Sequence, residues 1–288
     1  MSRPPAINVN DHPSMKPATL LLPFLLTAPF ARAAVIGIWT QDESSGDLID
    51  ATGNHPPGVA TGAPTYATPG VSNGSYGAIT VTNAGGTSID YGPSTVDEFF
   101  TLGTDNNNPT MNLLATGSFT VMSWMNPNAP AATSTYRPLS TGSSSGADGG
   151  WGFGLRLNGT AGTGSAIRFT TYGIADNDSS AFDVTFGDWV HLAATYDNGS
   201  INYFLNGNAL DSDTSVFGPN GIDNRLVIGG RLGGADGDQV DGRLDGIRVY
   251  DSVLTAGEIQ AAALVSVPEP STALTGLLAG LGLLRRRR

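Results

Sequence analysis

The stretch from Trp189 to Asn206, WVHLAATYDNGSINYFLN, constrains the fold more than any other part of the chain. Val190, Leu192, Ala194 and Tyr196 alternate with Trp189, His191, Ala193 and Thr195, the period-2 signature of a β-strand. Asn198-Gly199 tolerates the positive φ that a two-residue type I′ loop demands, so the run turns back into a second strand from Ile201 to Leu205. Asn206-Gly207 signals another reversal. An antiparallel meander must bury one face, and the rest of the chain has to supply an opposing sheet.

Strand-like pieces bounded by turns recur along the chain. They are Val35 to Trp39, Ala78 to Thr82, Phe119 to Met125, Trp151 to Leu157, Ile167 to Tyr172, Arg225 to Gly229 and Gly246 to Tyr250. Phe119, Val121 and Met125 alternate with Met122 and Trp124, so both faces of that piece are apolar, as in a central strand. Strands at this spacing predict a β-sandwich. One helix interrupts them: Thr255-Ala256-Gly257-Glu258 is a capping box, and Ile259 to Leu264 continues helically.

Both ends read as export signals. Met15 and Lys16 precede an apolar run from Ala18 to Phe30, and Ala31-Arg32-Ala33 has the small-x-small pattern of a secretory cleavage site, with Met15 a second candidate start. The expected division is therefore a signal peptide over 1–34, a folded domain over 35–265 and a C-terminal segment over 266–288. Residues 35–267 carry 23 acidic and 7 basic residues, a balance of −16. Such a surface repels phosphate backbones and argues against a nucleic-acid partner. The absence of cysteine excludes disulfides and thiolate metal sites, which a domain this size does not need for stability.

Five blocks carry a resemblance. They are Trp39-x-x-Asp42-Glu43-x-x-Gly46, Asp50-x-x-Gly53-Asn54, Gly117-Ser118-Phe119-Thr120-Val121-x-x-Trp124, Trp189-x-His191-x-Ala193-x-Thr195-Tyr196-Asp197 and Gly242-x-x-Asp245-x-Ile247-Arg248-Val249-Tyr250. In this order, and closed by the helix start Leu254-Thr255-x-x-Glu258-Ile259, they resemble the laminin-G-like, concanavalin A-like jelly-roll domains. The resemblance implies an all-β, two-sheet antiparallel jelly-roll sandwich with one short C-terminal helix. It also implies rim loops that bind sugars or proteins, sometimes with calcium. Only the stretch from Ser72 to Met111 departs from it, being longer than expected.

The tail is similar to the PEP-CTERM sorting signal of Gram-negative bacteria: Pro268, Glu269 and Pro270 precede an apolar run and Arg285, Arg286, Arg287 and Arg288. That resemblance implies a C-terminal hydrophobic helix, recognition by an exosortase, and an inner-membrane-anchored intermediate that matures to the cell surface or extracellular matrix. A plain tail anchor is the alternative.

Catalytic signals are thin. A retaining glycanase needs two carboxyl groups about 5 to 5.5 Å apart, and Glu43, Glu98 and Glu258 lie in no paired-carboxylate motif. Gly142-Ser143-Ser144-Ser145-Gly146 matches a nucleophile elbow but lacks the strand-turn-helix context. His191 and His55 read as structural histidines, because no acidic partner or nucleophile is placed beside either. Calcium is the expected cofactor. Through the resemblance, Asp50, Asn54 and Asp245 are its expected ligands, although an Asx turn explains Asp50 equally well. Asp236, Asp238 and Asp241 miss the EF-hand spacing and read as a solvated loop. The expected function is an exported, non-catalytic recognition module for extracellular polysaccharide or a surface protein. A divergent glycan-active hydrolase and a purely structural biofilm matrix protein are the alternatives.

Overall fold

The hairpin that the sequence marks most clearly is present, and its turns have the backbone that the residues demand. Asn198 and Gly199 sit at φ 46° and 99°, Asn206 and Gly207 at 51° and 76°. Both are two-residue loops with φ positive throughout, which matches the twist of the flanking strands.

A computed structural model describes residues 33–82, 86–93, 97–103, 117–141, 150–214, 225–232 and 238–264. Its strands in chain order are β1 (Val35–Trp39), β2 (Gly58–Thr61), β3 (Thr65–Pro69), β4 (Gly74–Tyr76), β5 (Ile79–Val81), β6 (Thr87–Asp90), β7 (Phe99–Leu102), β8 (Ser118–Pro127) and β9 (Ser134–Thr141). They continue with β10 (Trp151–Leu157), β11 (Ala166–Thr171), β12 (Ala175–Asp178), β13 (Val190–Asp197), β14 (Ser200–Leu205), β15 (Asn208–Thr214), β16 (Leu226–Ile228) and β17 (Gly242–Tyr250), and helix α1 (Ala256–Leu264) follows.

Two antiparallel sheets form the sandwich. The eight-stranded sheet runs β15-β14-β13-β8-β17-β6-β3, with β1 also paired to β17; the seven-stranded sheet runs β12-β11-β10-β9-β16-β7-β2. Strand β8 lies between β13 and β17, as its two apolar faces predict. Between the sheets, Phe119 of β8 meets Trp151 of β10 and Phe169 of β11 with ring centroids 5.6 and 5.7 Å apart. The same core takes Val121, Leu192, Ala194 and Val249 from one sheet and Tyr136, Phe153, Leu155 and Ile167 from the other.

The outer faces differ. Met122, Ala193 and Phe204 on the eight-stranded sheet are buried beneath Leu254, Ile259 and Ala262 of the C-terminal segment. Each large side chain buried in this way contributes about 1.5–3 kcal/mol. Beside them, Trp124 packs against Ile79 of the β4–β5 hairpin and donates Nε1–H to the Ala263 carbonyl at 3.2 Å. The hairpin, from the stretch that departs from the family pattern, is therefore a second lid on this sheet. Helix α1 begins as the capping box predicts: Glu258 accepts from Thr255 N at 2.8 Å, and Glu258 N donates to Thr255 Oγ1 at 3.3 Å. Among the described residues, no helix or hairpin covers the outer face of the seven-stranded sheet.

Candidate functional site

On that uncovered face a cavity of about 440 Å³ opens over β9, β11 and β12. Strand alternation builds its floor. Ile167 and Phe169 point into the core, so Arg168 and Thr170 point out. Arg137 leaves β9 on the same side. Its Nη1 donates to Thr170 Oγ1 at 3.1 Å, and its Nε donates to Asp238 Oδ1 at 3.3 Å. Arg231 reaches the same carboxylate. The Tyr172 ring lies against both guanidiniums, 5.4 Å from Arg137 and 5.1 Å from Arg231. Burial raises the Tyr172 pKa, while the two cations pull it partly back. Arg168 has its own partners, Asp178 at 2.6 and 2.8 Å and Asp176 at 3.0 Å. The hydrogen bond that Arg168 donates to Asp178 is the largest cause raising the Arg168 pKa. Gly152 makes this arrangement possible. A Cβ there would stand 2.5 Å from Tyr172 Oη and 2.7 Å from Arg137 Nη1.

A second cavity, of about 580 Å³, lies where the lids of the eight-stranded sheet end. Trp189, Tyr76, Asn126 and Asp188 line it with Arg243, whose guanidinium lies 5.5 Å from the Trp189 ring centre.

The residues expected to bind calcium divide. Asp50 is buried and accepts five hydrogen bonds: Oδ1 from Ile38 N and Thr52 N at 2.9 and 3.0 Å, and Oδ2 from Thr52 Oγ1, Asn54 N and His55 N at 2.6, 3.0 and 3.1 Å. A carboxylate offers about four lone-pair sites, so Asp50 acts as the hub of its turn. Asn54 likewise turns its side-chain amide to the Ile36 carbonyl at 2.9 Å. Asp245 sits elsewhere. Burial, with the Asp42 charge adding to it, pushes its pKa up to about 7 against the pull of a hydrogen bond from Val71 N at 3.1 Å. A Cβ on Gly70 would lie 2.9 Å from Asp245 Oδ2, 3.0 Å from the Thr87 carbonyl oxygen and 3.1 Å from that of Gly86; one on Gly86 would lie 2.6 Å from Asp42 Oδ1. Hard oxygens of two carboxylates and two carbonyls thus gather around this turn, a donor chemistry that suits calcium. No group of three or more His, Asp and Glu side chains among the described residues is placed to hold a metal.

His191 is wholly buried, edge-on to Trp124 at 4.9 Å, and neither ring nitrogen has a hydrogen-bond partner among the described residues. Burial, reinforced by the Arg248 charge, lowers its pKa to about 3. His55 lies against Trp39, and burial also lowers its pKa, against the Asp50 charge. Glu43 accepts from Ile49 N at 2.9 Å, Glu98 lies beside Gly92, and Glu258 caps α1, so the three glutamates serve separate local roles. Asp238 joins the arginine cavity, and Asp241 accepts from Asn128 Nδ2 at 2.8 Å, which corrects the reading of that loop as simply solvated. Asp236, Gly142 to Gly146, residues 1–32 of the segment read as a signal peptide, and the C-terminal tail with Pro268, Glu269, Pro270 and Arg285 to Arg288 lie outside the described residues.

The arginine cavity escaped sequence reading because its members are scattered from position 137 to 238 and form no motif. The one available signal was alternation, since Arg168 and Thr170 form the polar face of a strand whose other face is Ile167 and Phe169, as in Ala166-Ile167-Arg168-Phe169-Thr170.

The profile of the concanavalin A-like lectin/glucanases superfamily (Laminin_G_3) matches residues 101–260. No curated protein matches the chain significantly. Among solved structures, domain 4 of AbnA, a GH43 extracellular arabinanase from Geobacillus stearothermophilus in complex with arabinotriose, is 19% identical with a TM-score of 0.51. That match covers 80% of this chain and 98% of that one. The Trypanosoma rangeli sialidase in complex with sialic acid is 13% identical with a TM-score of 0.53, over 80% of this chain and 32% of the sialidase. The receptor binding domain of botulinum neurotoxin C/D mosaic serotype is 12% identical with a TM-score of 0.51, over 79% of this chain and 50% of that one. At these identities the likeness is one of fold.

Proposed function

Because the chain belongs to the concanavalin A-like lectin/glucanases superfamily, we propose that it is a non-catalytic module that recognises carbohydrate on the uncovered face of its seven-stranded sheet. The observation that carries this reading is the cavity of about 440 Å³ walled by guanidinium, hydroxyl and carboxylate groups. These are the groups that exchange hydrogen bonds with sugar hydroxyls, and the volume is of ligand size. The superfamily and the arabinanase domain with its arabinotriose support the ligand class. A hydrolase would use the same fold. Against it, Asp176, Asp178 and Asp238 are each held in an ion pair with arginine.

We further propose that the two terminal segments act as export signals, which would carry this module to the surface or matrix of a Gram-negative bacterium after exosortase processing at the Pro268-Glu269-Pro270 segment. Calcium at Asp245 and Asp42, with the Gly86 and Thr87 carbonyls, would brace the end of β3 against the start of β6. A glycan array probed with the full-length protein, with and without calcium, tests the function. Selective retention of one polysaccharide class without release of shorter sugars is expected. A blank array beside retention of a surface protein overturns it, and so does turnover of a bound glycan.

A further inference from the structure

Two guanidiniums in the arginine cavity share one carboxylate. Arg137 and Arg231 both pair with Asp238, whereas Arg168 has Asp176 and Asp178 to itself apart from a longer approach of Arg156 to Asp178 at 3.7 Å. The Asp176 carboxylate of the same cavity reaches Arg137 through Thr170, whose Oγ1 accepts from Arg137 Nη1 at 3.1 Å and donates to Asp176 Oδ1 at 2.7 Å. Taken by itself, the unit of Arg137, Asp238 and Arg231 carries one excess positive charge among the described residues. Its depth makes that excess informative. The Arg137 side chain is 4% exposed and that of Arg231 is 15% exposed. A charge held away from water without a counter-charge is destabilising, and the usual remedy is an anion or a shifted pKa. Arginine cannot lose its proton, so among the described residues a further anion is the group that would complete the pair.

The donors for such an anion are present. Arg137 commits Nε and Nη1, which leaves three of the five guanidinium N–H groups. The buried Nε of Arg231 has no hydrogen-bond partner among the described residues. Gly152 leaves room for Arg137 Nη1 against Tyr172 Oη where any side chain would intrude. The surroundings sharpen the point: residues 35–267 carry a balance of −16, so the domain as a whole repels anions and retention of one must come from this local pair.

We propose that the Arg137–Arg231 pair binds the carboxylate of an acidic saccharide, a uronic acid unit of an extracellular polysaccharide, while Thr135 and Asp176 of the same cavity meet the ring hydroxyls. A planar two-oxygen anion matches the guanidinium fork better than a point charge does. Binding gives the Arg137–Arg231 pair a second carboxylate beside Asp238. This proposal rests on the carbohydrate reading given above and narrows it to one chemistry at one pair of residues.

Calorimetry on the full-length protein compares polygalacturonate with its fully methyl-esterified form, which keeps the sugar and loses the charge. The acidic polymer is expected to bind at least tenfold more tightly. Arg231→Gln is expected to reduce that affinity at least tenfold without lowering Tm, since Asp238 keeps Arg137 as its partner; a merely structural Arg231 would lower Tm instead. Arg137→Lys, which keeps the charge and loses the fork, supplies the second variant. Equal affinity for both polymers overturns the carboxylate assignment and leaves the carbohydrate reading standing. An acidic preference that survives both substitutions places the anion elsewhere and also overturns it. Failure of either polymer to bind, together with a blank glycan array, removes the carbohydrate reading and this proposal with it.

Discussion

Replacing His191 with phenylalanine is expected to stabilise the protein, and to do so more strongly in acid. The ring is wholly buried in the outer layer of the eight-stranded sheet, against Trp124, with Arg248 close enough to oppose a second cation. Its pKa falls from 6.5 to about 3, so between those values the unfolded chain binds a proton that the folded chain refuses. Stability contributed by the neutral ring is therefore complete above pH 6.5 and is lost as pH falls toward 3. Integrating the linkage from pH 7 to pH 5 gives a loss of about 2 kcal/mol. Asp245, with a pKa raised to about 7, works in the opposite direction, because the folded state holds its proton and gains stability over the same interval. That gain is also about 2 kcal/mol, so these two groups nearly cancel in the wild type. A phenylalanine at this position would keep the ring packing, remove two unsatisfied polar atoms worth about 1–3 kcal/mol each when buried, and abolish one titration. Urea denaturation of the full-length protein in chelator, at pH 7 and pH 5, reads the difference. The gain of His191→Phe over wild type is expected to be about 2 kcal/mol larger at pH 5. A gain independent of pH would show that His191 titrates alike in the folded and unfolded chains, and the reasoning from burial would fail.

Gly152→Ala is expected to lower stability by about 1–3 kcal/mol, from the contact its Cβ would make with Tyr172 and Arg137, and to weaken saccharide binding in the same calorimetric titration. Millimolar calcium is expected to raise Tm relative to chelator, by the equivalent of about 2.7 kcal/mol at 100 times Kd. Asp245→Asn should remove that response, and superimposed melting curves would refute the calcium site. Thr255→Ala deletes the cap that bonds Glu258 N, and a loss of about 1 kcal/mol in denaturant is expected. A tag placed after Arg288 is expected to be absent from the mature surface protein, and one following Ala34 retained, as judged by blotting cell fractions in a host with the matching exosortase. Dominance of a species carrying both tags would reduce the tail to an anchor.

The sandwich was legible because its determinants are local. An Asn-Gly pair sets two positive φ angles within two residues, and alternation assigns a face within five. Strand β8 could be read as central from Phe119 to Met125 alone, since a strand covered on one side only has no use for Trp124 and Met122 on the other. What covers that second face is partly legible too: the capping box at Thr255 announces α1, whereas nothing in Gly74 to Val81 announces a hairpin that packs Ile79 on Trp124. The arginine cavity is the opposite case. Arg137, Tyr172, Arg231 and Asp238 meet only after β9, β11 and the approach to β17 have been brought side by side, so their charge balance exists in space and in no stretch of sequence. The same distinction explains Asp50 and Asp245. Asp50 finds its five donors nearby, at Ile38 and within its own turn, so a sequence pattern of Asp, Thr and Asn identifies a hydrogen-bonded turn as readily as a metal site. Asp245 finds Val71, and shares its turn with Asp42 and the Gly86 and Thr87 carbonyls, across more than 150 residues. Neighbours brought from that far are what bury Asp245, and burial, with the Asp42 charge, is what raises its pKa and makes it a carboxylate from which a cation would displace a proton.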